Sequence, residues 1–502
     1  MTTGRGAIGQ GLAPARQARP IEESEHIHVL GIAGAGASAA ALLAAGAGAV
    51  VTGCDPGGPS PYTVALEAAG VPMAWAHDPR HLDTGPRPTR LAVTKALTAI
   101  DPDNAELGAA RAAGIPVEPW QQVVADAAAG RVLVAVAGTH GKSTTAGWLV
   151  HVLAAAGSDP TAFVGALLPS SVVGGPPATA RRGRGEHVVV EADEYAGNFD
   201  PYRPAHVVLT NVDWDHPDVF PDREAVVRAF EAWLLGAVDV VGAVTLSVNV
   251  GDPGSIQLLD RLRDPRITIR PYLLEPGPPA SVAGPVLAGA VVSADPTGTV
   301  LALRHGEREL GTVHLATAGR HNAADALAVV SGALGLALPL DSILESVATF
   351  GGVGRRLELK GIAGDVVVYD DYGHHPTAIR ETLAAVRQRQ PERRVWAVYE
   401  PLTYHRTAAL LDSFADALSA ADAIVIADIW PGRDPDLTVT SADALAAAVR
   451  ARAPDRPVHA PGTVEATAAF LARSVEPGDV VLVMGGGRSY RISELLVEAL
   501  AG

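Results

Sequence analysis

The chain has 502 residues but only one cysteine, Cys54, and only three lysines among its 39 basic residues. A single cysteine excludes an intramolecular disulfide and a zinc–thiolate cluster, and it is typical of a reducing compartment. Positive charge is not in excess either, because the formal net charge is −16. This balance argues against binding to nucleic acid or to an anionic membrane surface. We therefore predict a cytoplasmic protein, in which each lysine is a candidate for a specific role.

Targeting and membrane-spanning segments are also lacking. Residues 1–25 are polar and rich in glycine and proline, with no apolar signal core, which predicts a flexible tail. Residues 29–53 carry no charge over 25 positions and are long enough to cross a bilayer. Their glycines fall at turn spacing, however, and the run ends in "GCD". We predict no membrane span.

The same uncharged stretch predicts a βαβ unit, with strands in "HIHVLGI" and "AVVTGCD" around an alanine-rich helix. Its turn reads Gly34-x-Gly36-x-x-Ala39, and Asp55 follows about 20 residues later, as in the dinucleotide-binding fingerprint. A nicotinamide-dependent dehydrogenase is one interpretation of this pattern. It leaves the motifs farther along the chain unexplained.

Strands alternate with helices along the whole chain, which predicts three α/β domains with largely parallel sheets. We expect a Rossmann-like N-terminal domain, a P-loop central ATPase domain and a Rossmann-like C-terminal domain. The predicted boundaries are a tail at 1–25 and domains at 26–130, 131–353 and 354–502. Residues 90–100 predict a strand and a turn, and the glycines of 348–359 predict a hinge.

The stretch "AVAGTHGKSTTAGW", residues 135–148, predicts a phosphate-binding loop between a strand and a helix. Gly141-Lys142-Ser143 fits the Walker A pattern, although Val136 stands where that pattern has its first glycine. Gly138 and Gly141 allow backbone amides to turn towards phosphate oxygens, and the helix N-terminus favours an anion. Lys142 would reach the β- and γ-phosphates, and Ser143 would bind Mg²⁺. The predicted ligands are ATP and Mg²⁺.

Polar clusters follow several other predicted strands. They comprise Glu191, Asp193 and Glu194; then Asn211, Asp213, Asp215 and His216; then Asp370, Asp371, Tyr372, His374 and His375; and finally Tyr404, His405 and Arg406. Buried carboxylates are costly unless they are paired or hold a metal, so the first two clusters predict metal or phosphate contacts. The last two clusters, expected on adjacent strand ends, predict a substrate site. His321 and Asn322 precede a helix and would either contact a nucleotide or cap that helix.

Taken together, these motifs resemble the Mur ligase family, which joins amino acids to the UDP-sugar precursor of peptidoglycan. The resemblance rests on stretches that occur in the family's order: "GIAGAGAS", "GTHGKSTT", "EADE", "TNVDWDH", "GRHNAADALA", "GVGRRLE" and "DDYGHHPTAI". "DDYGHHPT" with "EADE" is most similar to the branch that adds L-alanine to UDP-N-acetylmuramate. Several other branches use a carbamylated lysine after the "DH" motif, and this chain has no lysine there.

The resemblance implies a role for each matching residue. ATP would phosphorylate the lactyl carboxylate, and the amine of the amino acid would then attack the acyl phosphate. Lys142, Glu191 and His216 would be catalytic, and Ser143, Glu191 and His216 would bind Mg²⁺. The implied ATP contacts are Gly138, Thr139, His140, Gly141, Lys142, Ser143, Thr144, His321, Asn322, Arg355 and Arg356. Gly34, Gly36 and Asp55 would bind the UDP-sugar, and Tyr372, His374 and Arg406 would bind the amino acid.

Three positions depart from the alanine-adding pattern. Leu402 stands where histidine is usual, Tyr195 where serine is common, and Arg488 where aspartate is usual. Tyr195 is shared with the sister ligase that attaches a whole tripeptide to the same sugar, so that recycling activity is an alternative. A ligase of the same type that adds another amino acid is a further alternative. A regulatory P-loop ATPase without an amino-acid site is another. The expected assembly is a monomer or a homodimer.

Overall fold

The computed structural model describes residues 8–83, 85–276, 284–432, 434 and 436–502. It is an α/β structure with three sheets, which confirms the predicted fold class. The chain divides into two compact units. The first comprises residues 1–290, 302–313 and 324–353, and the second comprises 291–301, 314–323 and 354–502. The predicted division at 130 and 131 is not a boundary between these units and remains a prediction.

The first sheet has the order β3-β2-β1-β4-β5 and is parallel throughout. Its strands are β1 His26–Leu30, β2 Val50–Cys54, β3 Met73–Ala74, β4 Arg90–Val93 and β5 Val117–Pro119. The uncharged stretch forms β1, the helix α1 Ala35–Gly46 and β2, as the glycine fingerprint predicts. The turn predicted after β4 was wrong, because a helix, α3, forms there at Lys95–Ile100.

The second sheet has ten strands in the order β15-β14-β13-β12-β11-β10-β6-β9-β7-β8. They are β6 Val132–Ala137, β7 Thr161–Leu168, β8 Ala178–Arg181, β9 His187–Ala192, β10 His206–Leu209, β11 Val244–Asn249, β12 Ile267–Glu275, β13 Leu287–Asp295, β14 Gly298–His305 and β15 Arg308–Leu315. Strand β6 pairs in parallel with both β9 and β10. The carboxyl ends of these three strands therefore meet at one edge, where the acidic motifs follow β9 and β10.

The third sheet lies in the second unit and has the order β16-β17-β21-β18-β19-β20. Its strands are β16 Glu358–Ala363, β17 Val366–Asp371, β18 Arg394–Glu400, β19 Ala423–Ala427, β20 Val458–Gly462 and β21 Asp479–Gly485. Only β16 pairs antiparallel. Strand β21 lies between β17 and β18, so the expectation that their polar ends are on adjacent strands was wrong.

Helices connect these strands. Besides α1 and α3 they are α2 Val64–Ala68, α4 Ala105–Ala112, α5 Trp120–Ala127, α6 Lys142–Ala155, α7 Ser170–Val173, α8 Arg223–Val241, α9 Pro253–Arg261, α10 Arg320–Gly335, α11 Leu340–Ala348, α12 Pro376–Arg389, α13 Tyr404–Ala409, α14 Leu411–Leu418, α15 Ala442–Arg452, α16 Val464–Ser474 and α17 Ser489–Ala501. Short 3₁₀ helices cover Pro79–Leu82 and Tyr195–Gly197. None of the described helices combines the length and apolar character needed to cross a bilayer.

The predicted tail lies partly outside the described residues, because these begin at residue 8. Residues 11–22 form no helix or strand, yet Arg16 makes ion pairs with Glu118 and Asp126, both at 2.7 Å. Arg90 of β4 pairs with the same two carboxylates. The segment around Arg16 is thus attached to β5 and α5 through ion pairs with the buried carboxylates Glu118 and Asp126.

Candidate active site

The predicted phosphate loop joins the end of β6 to the start of α6. Gly138 has a φ of 132° and Gly141 a φ of 80°, which side chains rarely tolerate. Space is missing as well, because a Cβ on Gly138 would lie 2.2 Å from Thr210 Oγ1, and one on Gly141 2.4 Å from Asp325 Oδ1. Both glycines are therefore required by the backbone path of the loop, and that path ends at the N-terminus of α6.

Hydrogen bonds attach this loop to the segment that follows β10. The Thr139 amide donates to the Asn211 carbonyl at 3.1 Å, and the His140 amide donates to Asn211 Oδ1 at 2.9 Å. The Asp213 amide donates to Thr139 Oγ1 at 2.8 Å. His140 Nε2 lies 3.6 Å from Asp213 Oδ2, and this contact helps to lower the pKa of Asp213. The phosphate loop and the polar motif after β10 are thus held together by hydrogen bonds.

Lys142, on the first turn of α6, lies between the loop and the acidic residues after β9. Its Nζ donates to the carbonyls of Gly138 and Thr139, and it lies 3.3 Å from Glu194 Oε2 and 3.8 Å from Asp193 Oδ1. Burial opposes its charge, but Glu194, Asp193 and the other nearby carboxylates outweigh burial and raise its pKa. The residue is therefore a cation at neutral pH.

The carboxylates beside Lys142 differ from each other. Burial raises the pKa of Glu194 to about 7 despite the attraction of Lys142. Burial also disfavours the charge of Asp193, but Lys142 and His216 reverse that effect and lower its pKa. The side-chain amide of Asn198 additionally donates to Asp193 Oδ2 at 2.9 Å. The site thus holds a firmly ionised carboxylate next to one that titrates near neutrality.

Ser143 and Glu191 form a pair of oxygen donors next to Lys142. Ser143 Oγ donates to Glu191 Oε1 at 3.0 Å, and the Gly165 amide holds Glu191 Oε2 at 2.6 Å. In an octahedron with Mg–O bonds of about 2.1 Å, neighbouring ligand atoms are about 3 Å apart. The spacing and the hard oxygen donors of this pair therefore fit Mg²⁺.

His216 lies after β10, in the left-handed region with a φ of 57°. Its ring packs against Tyr195 at 4.5 Å between centroids, and the Tyr195 hydroxyl donates to Asp218 Oδ2 at 2.9 Å. Ligand atoms of His216, Asp193 and Glu194 all lie within 4.8 Å of one another. This group provides a second place where a cation could bind. Thr144, half-buried on the same turn of α6 as Ser143, completes the predicted loop.

The glycine fingerprint of the first sheet is built differently from the phosphate loop. Gly34 is exposed and is the N-cap of α1, and no side-chain hydrogen bond from the described residues caps this end of the helix. A Cβ on Gly36 would lie 2.1 Å from the Trp120 ring, so this glycine is required by packing. Asp55 receives the Ala33 amide at 3.2 Å and the Gly57 amide at 2.8 Å. The turn thus leaves the backbone near Gly34 accessible.

In the second unit, Arg355 is buried and has several partners. Its guanidinium donates to Asp370 at 3.1 Å, to the Gly485 carbonyl at 2.9 Å and to Ser489 Oγ at 2.9 Å. Arg356 is only half-buried and lies over the Tyr372 ring at 5.0 Å. Of the two predicted phosphate contacts, Arg356 is the more accessible.

The other predicted residues of the second unit are spread over several elements. His321 Nδ1 lies 3.6 Å from Glu381, and Asn322 donates to the Ala318 carbonyl at 2.6 Å from inside α10, so it is not the cap of that helix. His374 packs edge-on to Tyr372 at 5.2 Å. Arg406 is buried on α13.

The glycine turn after β21 brings the two polar strand ends of this unit together. A Cβ placed on Gly486 would lie 3.0 Å from Leu402 and 3.5 Å from Tyr372. One placed on Gly487 would lie 2.6 Å from Trp430 and 2.9 Å from Glu400. Leu402, which stands where histidine is expected, therefore lies near Gly486 together with Tyr372, a residue that is predicted to bind the amino acid.

Lys95 is a site residue that the sequence does not assign. Its Nζ donates to the carbonyls of Ala196 and Gly197 at 2.9 Å each, directly after the acidic motif of β9. Burial lowers its pKa, and Asp200 and Asp193 partly compensate. The scarcity of lysine was the only signal available, because its partners are more than 100 positions away along the chain.

Three family descriptions match successive parts of the chain. Residues 26–132 match the Mur ligase family, catalytic domain; residues 136–333 match the Mur ligase middle domain; and residues 355–487 match the Mur ligase, glutamate ligase domain. Together these ranges cover most of the 502 residues.

Similar proteins are known by both sequence and structure. The UDP-N-acetylmuramate–L-alanine ligase from Frankia casuarinae is 35% identical to this chain, over 95% of this chain and 98% of its own length. The enzyme of the same name from Mycolicibacterium vanbaalenii is 37% identical, over 93% of this chain and 94% of its own length. The crystal structure of UDP-N-acetylmuramate-alanine ligase from Thermotoga maritima aligns with a TM-score of 0.76 at 24% identity, over 94% of this chain and 98% of that one. A murein peptide ligase from Psychrobacter arcticus aligns with a TM-score of 0.71 at 23% identity, over 95% and 99%. At these identities the two structures establish the fold.

Proposed function

The chain belongs to the Mur ligase family, and we propose that it joins L-alanine to the lactyl carboxylate of UDP-N-acetylmuramate, converting ATP to ADP and phosphate. Three curated relatives that carry this activity in their names are 35–37% identical over 93–95% of the chain. The observation that carries the proposal is the position of Lys142 and Ser143 on one helix turn, against the carboxylates at the end of β9 and directly after it. Such an arrangement serves transfer of a phosphoryl group.

The chemistry follows from what these side chains offer. A carboxylate is a poor electrophile, so the γ-phosphoryl group is first transferred to the lactyl oxygen. The amine of L-alanine then attacks the acyl carbon, the C–O bond to phosphate breaks, and the amine loses a proton. Lys142 stabilises the negative charge that develops on the phosphoryl oxygens. When bound, Mg²⁺ supplies further positive charge there; Ser143 and Glu191 would hold one ion, and His216 would help to hold a second.

The remaining roles in the proposal follow the matched motifs. The loop residues Gly138, Thr139, His140, Gly141 and Thr144 bind the ATP phosphates, with His321, Asn322 and Arg356 as further ATP contacts. Gly34 and Gly36 place the N-terminus of α1 against the UDP diphosphate, and Asp55 lies near the uridine. Tyr372, His374 and Arg406 bind L-alanine. Since both substrates are precursors of peptidoglycan, we place the reaction in the cytoplasm, in a monomer or homodimer.

The second candidate is ligation of a whole tripeptide to the same sugar. Two observations favour it, namely Tyr195 against His216 in the acidic site and Leu402 beside Tyr372 in the second unit. Histidine, the usual residue at this position, can donate a hydrogen bond, whereas the apolar side chain of Leu402 cannot. A change of residue at this position alters what the incoming amine can contact.

The test is phosphate release from ATP with Mg²⁺ and UDP-N-acetylmuramate, compared across single amino acids and the tripeptide L-Ala-γ-D-Glu-diaminopimelate. We expect release that requires both the sugar and L-alanine, with the ligated product identified by mass. Release that requires the tripeptide would move the substrate and keep the reaction. Release that is indifferent to sugar and amine would refute the ligase and favour the regulatory ATPase. Protein with Lys142→Ala is the control for contaminating ATPases.

A further inference from the structure

A cluster of metal-binding side chains lies within the first sheet and its connections, outside the candidate active site. Four residues contribute to it: His28 from β1, Cys54 from the end of β2, His81 from the 3₁₀ helix Pro79–Leu82, and Glu106 from α4. One ligand atom from each lies within 4.8 Å of all the others. Three of the four are buried, and His81 is half-buried.

The distances place Glu106 at the centre of this group. His28 Nε2 is 2.9 Å and His81 Nδ1 is 3.2 Å from Glu106 Oε1, and Cys54 Sγ is 3.3 Å from Glu106 Oε2. For a tetrahedral ion with bonds of 2.0–2.3 Å, ligand atoms are about 3.3–3.8 Å apart. A contraction or expansion of a few tenths of an ångström would therefore suffice to bind an ion.

The orientation of His28 provides an independent observation. Its Nδ1 contacts Thr52 Oγ1 at 2.7 Å, so its Nε2 points into the cluster. This Nε2 is directed at Glu106 Oε1, and only 2% of the residue is exposed. A histidine that binds a metal typically has one ring nitrogen held by a neighbouring polar group, as Thr52 holds Nδ1 here, and the other directed at the metal.

We propose that His28, Cys54, His81 and Glu106 bind one Zn²⁺ ion that stabilises the N-terminal part of the chain. Sulfur, imidazole nitrogen and carboxylate oxygen in a four-residue set are the donors that Zn²⁺ takes, whereas Mg²⁺ prefers oxygen alone. The single cysteine excludes a cluster of several thiolates, but a mixed site needs only one. On binding, the Cys54 thiol releases its proton to solvent and a sulfur–zinc bond forms.

The position of this site links it to the substrate chemistry without making it catalytic. The four ligands join β1, β2, the 3₁₀ helix and α4, which are far apart in sequence. Cys54 directly precedes Asp55, whose carboxylate receives the Ala33 amide in the glycine turn. An ion here would therefore stabilise the turn that is proposed to bind the UDP-sugar. The inference does not depend on that function, because it concerns only cation binding and stability.

The single cysteine makes a specific test possible. Full-length protein is freed of metal with a chelator and titrated with Co²⁺, which replaces Zn²⁺ in such sites. A thiolate-to-cobalt charge-transfer band can arise only from Cys54. We expect the band to saturate at one Co²⁺ per chain and to disappear when Zn²⁺ is added. Folded wild-type protein that shows no such band at saturating Co²⁺ overturns the proposal, and the cluster is then a hydrogen-bonded network around Glu106.

Variants separate this site from the acidic site near Lys142. His216→Ala, which disables the second cation group, should leave the band unchanged. Cys54→Ser should abolish the band, and His81→Gln, at the half-buried edge, should weaken Zn²⁺ binding at least about tenfold. Zn²⁺ should raise the Tm of the wild type but not of His81→Gln. If Cys54→Ser does not fold, the wild-type titration and the His81→Gln variant still test the proposal. Equal Zn²⁺ affinity in the wild type and in His81→Gln would refute the assigned ligands.

Discussion

Ser143 Oγ and Glu191 Oε1 are 3.0 Å apart, which connects the first turn of α6 to the end of β9. The two residues lie 48 positions apart in sequence and come together because β6 and β9 are parallel neighbours. The Gly165 amide fixes the second oxygen of Glu191. The carboxylate is therefore oriented before any ligand arrives, as a site for a hard cation requires.

Glu191→Gln should increase the Mg²⁺ concentration needed for half-maximal ligation about tenfold or more. Glutamine keeps the size of the side chain and can still accept from Ser143, but it lacks the negative charge. The measurement is initial rate against Mg²⁺ at saturating ATP. Glu224→Gln, on the surface of α8, is the matched control and should behave as wild type. An unchanged Mg²⁺ dependence in Glu191→Gln would exclude this carboxylate as a cation ligand.

Lys142→Ala should reduce kcat by about 100-fold or more, because it removes a preorganised positive charge from the phosphoryl group in the transition state. The variant also leaves Glu194 and Asp193 without their buried partner, so its Tm must be measured beside its rate. Lys142→Arg separates charge from geometry: it retains the charge but not the contacts with the loop carbonyls. Near-normal turnover in a folded Lys142→Ala protein contradicts the assignment of the loop.

Gly36→Ala should destabilise the protein by about 1–3 kcal/mol, since the added Cβ would lie 2.1 Å from the Trp120 ring. Trp120→Phe removes the ring atoms that clash, so the double variant should be more stable than the sum of the single effects predicts. Gly108→Ala is the control, because a Cβ there meets nothing within 4 Å. Urea unfolding of the wild type and of the four variants provides the comparison. Additive effects would show that the packing is not the reason for this glycine.

Recovery of UDP-sugar binding provides a second measurement in the same set. If Gly36 is needed only for packing, the double variant should regain the wild-type KM for UDP-N-acetylmuramate along with its stability. If the backbone must also approach the diphosphate closely, stability should return while the KM stays raised. Either outcome separates the two demands on this glycine.

Local patterns predicted the βαβ unit and the phosphate loop, because their glycines, helix starts and apolar strands follow one another within about 30 residues. The contact of Gly36 with Trp120 could not be predicted, since it joins residues 84 positions apart. Arg355 illustrates the same limit. The sequence motif predicts a positively charged side chain that contacts phosphate. Only the folded structure shows that this guanidinium already donates hydrogen bonds to Asp370, Gly485 and Ser489.

Arg16→Ala should lower the free energy of unfolding by about 1–3 kcal/mol, because it leaves buried Asp126 and Glu118 with one cation fewer. Arg80→Ala removes an arginine–carboxylate pair of similar length, but the Arg80 side chain is 87% exposed, so we expect no measurable change. Chemical denaturation of both variants provides the comparison. Equal, small effects would show that residues around Arg16 behave as the flexible tail that composition predicts.

Glu400 should make the protein less stable as the pH rises through the range from about 4.5 to 7. Burial raises its pKa from 4.5 to about 7, while its Oε2 accepts the Ser489 amide at 2.6 Å. Within that range the native state retains a proton that the unfolded state has released, so the free energy of unfolding falls with pH. Glu400→Gln cannot titrate. Its stability relative to wild type should therefore rise between pH 5 and pH 8, by about 3 kcal/mol at most. Exposed Glu392→Gln controls for the loss of one negative charge, and a relative stability of Glu400→Gln that does not change with pH would refute the raised pKa.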